Sequence, residues 1–251
     1  MKKFQNITDK IAPSIIIAVL LMIWQILSMV NIIPKFMLPS PFEVVKAFVL
    51  DFPLLMEHTK ITLLEAFFGL GLGIIMGFAV AVVMDRFEYA FKMIYPVLVI
   101  TQTIPTVAIA PLLVLWLGYG ILPKITLIVM TSFFPITIGL LDGFRSADKD
   151  MLNLLKTMGA TPFQNFVHVK LPGSLGYFFA GLRISVSYSI IGAVVAEWLG
   201  GFSGLGVYMT RVRKSYSFDK MFAVIFLISA ISLLLMYLVK KIQKWCMVWE
   251  K

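Results

Sequence analysis

The sequence predicts an all-α polytopic membrane protein with about six transmembrane helices, and three observations predict it. Of the 251 residues, 60% are hydrophobic, with a mean hydropathy of +0.93, more apolar surface than a soluble domain of this size can bury. Uncharged runs of bilayer-crossing length recur at 11–34, 66–84, 93–123, 125–141 and 221–239, allowing for some shorter spans. One polar stretch, 142–170, interrupts this pattern.

The chain opens with Met-Lys-Lys-Phe-Gln. The first run is long, carries Trp24 and ends at Asn31 without a small-residue cleavage motif, so it reads as a retained helix over 11–32 and not as a cleaved signal. Residues 33–59 hold Pro34, Pro39, Pro41 and Pro53 and read as an external loop with a short helix started by Ser40-Pro41 and Glu43. A second span is expected from about 61 to 84. Its Gly69, Gly71, Gly73 and Gly77 suit close helix packing in lipid.

The run 93–123 is too long for a simple span. Pro105 and Pro111 should kink or break it. Irregular backbone at membrane depth is tolerated only against protein or a water-lined cavity. Residues 102–111 (QTIPTVAIAP) are therefore translocation-pathway candidates, through Gln102, Thr103, Pro105, Thr106 and Pro111, with a packed kink as the alternative. Further spans are expected at 121–141, 176–198 and 220–240. The count falls to five if 176–198 is re-entrant, because Arg183 and Glu197 weaken it.

The net charge of +9 sits mostly at helix ends, so positive-inside sorting explains it more simply than nucleic-acid binding. With the N-terminus inside, fourteen basic residues lie inside and eight outside, which places both termini in the cytoplasm. The outside set holds Lys35, Lys46, Lys60, Lys124, Arg211, Arg213, Lys214 and Lys220, and the Arg211–Lys214 cluster runs against the rule. A single cysteine, Cys246, excludes an intrachain disulfide, and two histidines make a histidine-based metal centre improbable on composition.

No GxxxxGK[ST] loop is present, so nucleotide use would require another chain. No paired-carboxylate or Ser-His-Asp pattern falls on one surface, which argues against a membrane enzyme. Glu65, Arg183 and Glu197 are ionisable groups in or near spans. Arg183 and Glu197 lie about 21 Å apart along one helix and cannot pair with each other. Glu197 joins the pathway candidates, with snorkelling or interhelical pairing as the favoured reading of these groups. A secondary transporter would need a coupling site near the membrane centre, and none of the three is clearly central.

The polar insert carries the sharpest pattern. Met151, Leu154, Leu155 and Met158 fall on one helical face, Gly159 can end that helix, and Thr161-Pro162 can start another bearing Phe163, Phe166 and Val167. Leu171-Pro172 is expected to close the insert before the next span. An exposed apolar stripe suits docking into a partner's groove, and a helix pair lying on lipid headgroups is the alternative.

Gly159, nine residues, Val169, one residue, then Leu171-Pro172 resembles the EAA loop of ATP-binding-cassette importer permeases. The family's glutamate-alanine-alanine falls on Asn153, Leu154 and Leu155, so the chain departs at all three positions. The segments LPSP at 38–41, 102–111, APLLVLWLGYG at 110–120 and AEWLGG..GLG at 196–206 are similar to the sulfonate/nitrate/taurine-type branch. The stretch 192–209 looks most like the thiamine-pyrimidine-precursor permeases.

The resemblance implies a type I importer permease fold in one transmembrane domain over 1–251, with a core at 61–240 and a cytoplasmic coupling loop at 142–174. It implies a non-catalytic subunit of the bacterial cytoplasmic membrane, paired with a second permease subunit as a homodimer. Two cytoplasmic subunits would bind ATP and magnesium, none of it held by this chain, and an extracytoplasmic protein would deliver the solute. Coupling to the ATPase would fall on Asn153, Leu154, Leu155, Met158, Gly159, Ala160, Thr161, Pro162, Phe163, Leu171 and Pro172. The expected solute is a hydroxymethyl- or formylamino-pyrimidine, with alkanesulfonate, taurine or nitrate as alternatives. Arg211, Arg213 and Lys214 would favour an anion or dock the delivery protein.

Overall fold

The computed structural model describes the backbone of residues 2–30, 34 and 37–248, and the side chains of 15–30, 34 and 37–248. Helix α1 runs Lys2–Met29, α2 Pro41–Leu50, α3 Phe52–Arg86, α4 Glu88–Thr103, α5 Thr106–Leu117 and α6 Ile121–Arg145. Helix α7 covers Lys149–Thr157 and α8 Pro162–Asn165. A π-helical turn, Phe166–Lys170, leads into α9, Leu171–Gly200; α10 is Leu205–Lys214 and α11 Phe218–Cys246.

Among the described residues, four helical stretches are long and apolar enough to cross a membrane: α3, α6, Pro162–Gly200 and α11. The pair α4–α5, bent by 100°, makes a fifth if taken as one broken span. The expected first span, 11–32, lies partly outside the described side chains. Within it Ile15–Met29 is a shorter apolar helix.

Contacts divide the chain into two units, Met1–Glu57 with Tyr208–Leu227, and His58–Val207 with Ile228–Lys251. In the first, Trp24 donates its indole N–H to Pro39 O at 2.9 Å and Ser28 Oγ donates to Leu38 O at 3.2 Å, which ties α1 to the chain entering α2. Trp24 also packs on Phe222 and Phe226, each at 5.7 Å between ring centroids. Ser40 and Glu43 form a reciprocal capping box at the start of α2, with Pro41 where a missing N–H costs nothing. Asp51 receives Lys220 Nζ at 2.8 Å and the Tyr208 hydroxyl.

The second unit is built on α3, α6 and α9. Gly69, Gly73 and Gly77 recur every four residues and face Ile128, Ser132 and Ile136 of α6. A Cβ on Gly73 would stand 2.6 Å from Ser132 Oγ. Gly71 is the exception to the expected glycine interface, since a Cβ there meets nothing within 4 Å. Across the α6–α9 crossing, Gly181 abuts Pro135 O, Gly139 abuts Tyr177 O and Gly143 abuts Ser174, while Ser185 Oγ donates to Ser132 O at 2.5 Å. Such close backbone approach supplies the dispersion contacts that hold helices together in lipid. Apolar side chains fill the space around it: Ala66, Ile128, Ile190 and Ala193 at one level, Ala81, Ile136, Leu140 and Phe144 at another.

Several boundaries differ from expectation. Residues 52–59 are helix and not loop, because Pro53 occupies the first turn of α3, where it is harmless. Leu171-Pro172 does not close the insert. The Leu171 N–H reaches back five residues to Phe166 O, and this widened turn carries the helix past Pro172. The span expected at 176–198 is therefore the end of a continuous helical stretch, Pro162–Gly200. Helices α6 and α11 run beyond the expected 141 and 240.

Candidate functional site: a broken span, a buried polar cluster and a projecting helix turn

The broken span comes first. Helix α4 ends at Thr103, Ile104 and Pro105 are extended, and α5 restarts at Thr106. Pro105 sets the break because the residue before a proline is driven out of helical geometry. Pro111 lies inside α5 without ending it. Thr101 and Thr103 turn their hydroxyls back onto Leu98 O and Ile100 O at 2.6 and 2.8 Å, satisfying carbonyls in the last turns of α4.

A cavity of about 420 Å³ opens at this break. Gln102, Pro105 and Thr106 line it, together with Thr131, Phe133 and Tyr188 among others. Thr103 and Pro111 are exposed and are not part of this wall, and Glu197 lies apart from it. No cationic side chain belongs to the lining among the described residues.

Glu197 is 1% exposed and sits in a cluster at the opposite end of α9 from the insert. Its Oε1 accepts from Thr62 Oγ1 at 2.7 Å and its Oε2 from the Gly206 N–H at 2.5 Å. The Leu205 N–H donates to Thr62 Oγ1 at 2.9 Å, and the Gly204 N–H donates to His58 Nδ1 at 2.9 Å. A backbone N–H donating to Nδ1 requires that nitrogen to be an acceptor, so the ring is neutral with its proton on Nε2. Three successive backbone N–H groups of the turn into α10 are thus held by side chains of α3 and α9.

Lys124 Nζ lies 2.5 Å from Glu65 Oε1 in the same region, with both side chains buried. Lys124, which the charge count placed among outward basic residues, is 6% exposed and presents no charge to solvent. Glu65 has the interhelical pairing favoured for it, and Arg183 donates to Gln243 Oε1 at 2.5 Å. Sequence reasoning missed His58, Thr62 and Lys124. The signal for Lys124 was its position directly after Pro123 at the head of an apolar run.

In the insert, Asp148 caps α7 through the Asp150 N–H at 2.8 Å. Helix α7 ends at Thr157 with Met158 as its C-cap, and Gly159 has φ +84°, a left-handed conformation. Thr161 and Gln164 form a capping box with Pro162 at the first helical position of α8. Met151, Leu154, Met158 and Phe163 are all more than half exposed. Asn153, Pro162 and Thr161 are exposed too, while Leu155, Ala160, Leu171 and Pro172 are half-buried. At the foot of this turn Lys170 Nζ reaches Asp85 Oδ1 and Oδ2 at 2.7 and 2.8 Å.

Comparisons with known proteins agree with this architecture. The chain is 41% identical over 225 residues to a probable ABC transporter permease protein of Haemophilus influenzae, covering 90% of this chain and 92% of that one. It is 37% identical over 240 residues to the formylaminopyrimidine transport permease protein ThiX of Halalkalibacterium halodurans, covering 95% and 96%. A crystal structure of an amino acid ABC transporter with histidines shares the fold, with a TM-score of 0.62 at 16% identity over 78% of this chain and 94% of that one. The model of the binding-protein-dependent transport system inner membrane component family matches residues 69–246, which takes in the broken span, the projecting turn and, of the buried cluster, Lys124 and Glu197; the chain belongs to that family, the permeases of ABC importers.

Proposed function

We propose that this chain imports a small neutral heteroaromatic solute, a hydroxymethyl- or formylamino-pyrimidine precursor of thiamine, as one half of a permease homodimer driven by two cytoplasmic ATPase subunits and fed by an extracytoplasmic binding protein. The observation that carries the reading is the cavity at the Ile104–Pro105 break. Tyr188 and Phe133 offer aromatic faces, and Gln102, Thr106 and Thr131 offer hydrogen-bonding groups, a combination suited to a flat ring with polar edges. A sulfonate or nitrate would call for an Arg or Lys in the wall. The 37% identity to a formylaminopyrimidine permease over nearly the whole chain supports the same solute class.

The coupling part of the proposal rests on α7, Gly159 and α8. Exposed Met151, Leu154, Met158 and Phe163 suit a groove on an ATPase subunit. In this reading residues 142–174 are the cytoplasmic coupling loop, both termini lie in the cytoplasm, and Asn153 to Phe163 carry the contact. A second reading, import of an alkanesulfonate, taurine or nitrate, is favoured by Arg211, Arg213 and Lys214 in the last turn of α10 and by weaker similarity to permeases for such anions.

The test is calorimetry with the extracytoplasmic protein that co-purifies with this permease, against both pyrimidines, taurine, an alkanesulfonate and nitrate. Tight binding of a pyrimidine alone is expected. Binding of an anion alone transfers the assignment to the second reading. Failure to recover any binding protein or ATPase with the chain counts against the importer assembly as proposed.

A further inference from the structure

We propose that Glu65 and Glu197 together hold a single proton, forming with Lys124 a buried proton-binding site that fastens the Gly204–Gly206 turn to α3 and α9. The inference stands on geometry and charge, and does not depend on which solute is carried.

Glu65 is 4% exposed, and only one of its carboxyl oxygens is satisfied. Oε1 takes Lys124 Nζ, while Oε2 is buried with no hydrogen-bond partner. The neighbouring carboxyl is Glu197, which binds Thr62, one helical turn before Glu65 on the same face of α3. Two ionised carboxylates only accept, so neither can satisfy the other. One proton on the pair changes this, because a carboxylic acid O–H between them gives the orphaned Oε2 its bond whichever residue carries it. Carboxyls sharing a site keep a proton for this reason.

Charge balance argues the same way. The titratable groups in these contacts are His58 and Glu65 on α3, Lys124 on α6 and Glu197 on α9. His58 is neutral, since its Nδ1 accepts from Gly204. Two carboxylates and one ammonium then sum to a net charge of about −1 in an interior where uncompensated charge is strongly disfavoured. A single shared proton brings the cluster to neutrality. The proton comes from water and returns to it, and no other co-reactant is involved.

The site also has a structural consequence. Glu197 Oε2 holds the Gly206 N–H, and Thr62 joins Glu197 Oε1 to the Leu205 N–H. A Cβ at Gly204 would collide with the Glu197 carboxyl, so the turn lies directly on it. Loss of the proton sets two anions against each other beneath that turn. Proton occupancy therefore controls how firmly the turn into α10 is seated.

Infrared spectroscopy of the full chain in lipid nanodiscs tests this. At neutral pH the wild type should show a protonated-carboxyl C=O band that shifts in D2O. Glu65→Gln and Glu197→Gln should each reduce it to background, because one remaining carboxylate balances Lys124. Lys124→Met should raise it about twofold, because both carboxyls then need a proton. A wild-type spectrum without the band overturns the proposal. So does a band that survives in both glutamine variants, or one that does not grow in Lys124→Met. If the glutamine variants do not fold, the wild-type band and the Lys124→Met increase still decide.

Discussion

Lys170 grips both oxygens of Asp85, at 2.7 and 2.8 Å, so that the last residue of the π turn is fastened to the end of α3. Asp85 is 10% exposed and Lys170 25%, which leaves water little access to the pair. Charge-assisted bonds of this kind contribute about 1–3 kcal/mol when one partner is removed. Lys170→Ala should lower the thermal stability of the purified protein and loosen the insert relative to the membrane helices. Hydrogen exchange over residues 162–170 measures the second effect. The double exchange Asp85→Lys with Lys170→Asp should recover part of it. Equal exchange in wild type and Lys170→Ala would show that the ion pair does not hold this turn.

The glycine row on α3 gives a paired prediction. Gly73→Ala places a methyl 2.6 Å from Ser132 Oγ and should destabilise by about 1–3 kcal/mol through overpacking. Gly71→Ala meets nothing and removes helix-interior flexibility, so it should be neutral or stabilise by about 0.5–1 kcal/mol. Melting temperatures in one detergent, compared side by side, check the sign difference. The same sign for both variants would contradict the packing.

Much of the bundle was legible because lipid imposes long uncharged runs, and runs of that length leave few alternatives. The break at Ile104–Pro105 and the turn at Gly159 followed from proline and glycine chemistry that acts locally. Two things were hidden. Pro172 looked like a stop, but a π turn upstream disarms it, and the first residue of that turn, Phe166, packs on Phe144, a contact 22 residues apart in sequence. The cluster of His58, Thr62, Glu65, Lys124 and Glu197 draws on three helices, so no window of sequence contains it. Glu65 and Glu197 were visible as intramembrane acids, but their partners were not.

Asp51 should make the unit that contains α2 sensitive to both acid and base. Burial alone would raise its carboxyl, but the hydrogen bonds from Lys220 and Tyr208 and the Lys220 charge outweigh burial and hold it below the usual carboxylate range. Its stabilisation is thus complete above the unfolded value, about 4, and is lost as pH falls through the lower folded value. Tyr208 moves the opposite way: burial, its bond to Asp51 and the nearby Asp51 and Asp219 charges raise the phenol. That contribution is complete below the unfolded value, about 10, and is lost as pH rises through the folded one. Asp51→Asn should lower the melting temperature at neutral pH and flatten both limbs of its pH profile. An unchanged profile would mean that the Asp51 contacts contribute nothing in solution.

Gly159 separates stability of the membrane bundle from function of the projecting turn. Its φ of +84° places it in the left-handed region, and a Cβ there would meet nothing within 4 Å. The cost of Gly159→Ala is therefore conformational alone, about 1–2 kcal/mol, and it falls on the link between α7 and α8 and not on the bundle. Asparagine tolerates this conformation better, so Gly159→Asn should cost less. In the proposed coupling role, Gly159→Ala should reach the membrane and melt near the wild-type temperature while solute-stimulated ATPase activity of the assembled transporter falls several-fold. Gly159→Asn should fall between the two. The decisive comparison is stimulated ATPase activity against amount of assembled complex, measured on the same preparations. Wild-type stimulation in Gly159→Ala would remove this turn from the coupling path, and a parallel loss of assembled protein would show that the strain acts on folding instead.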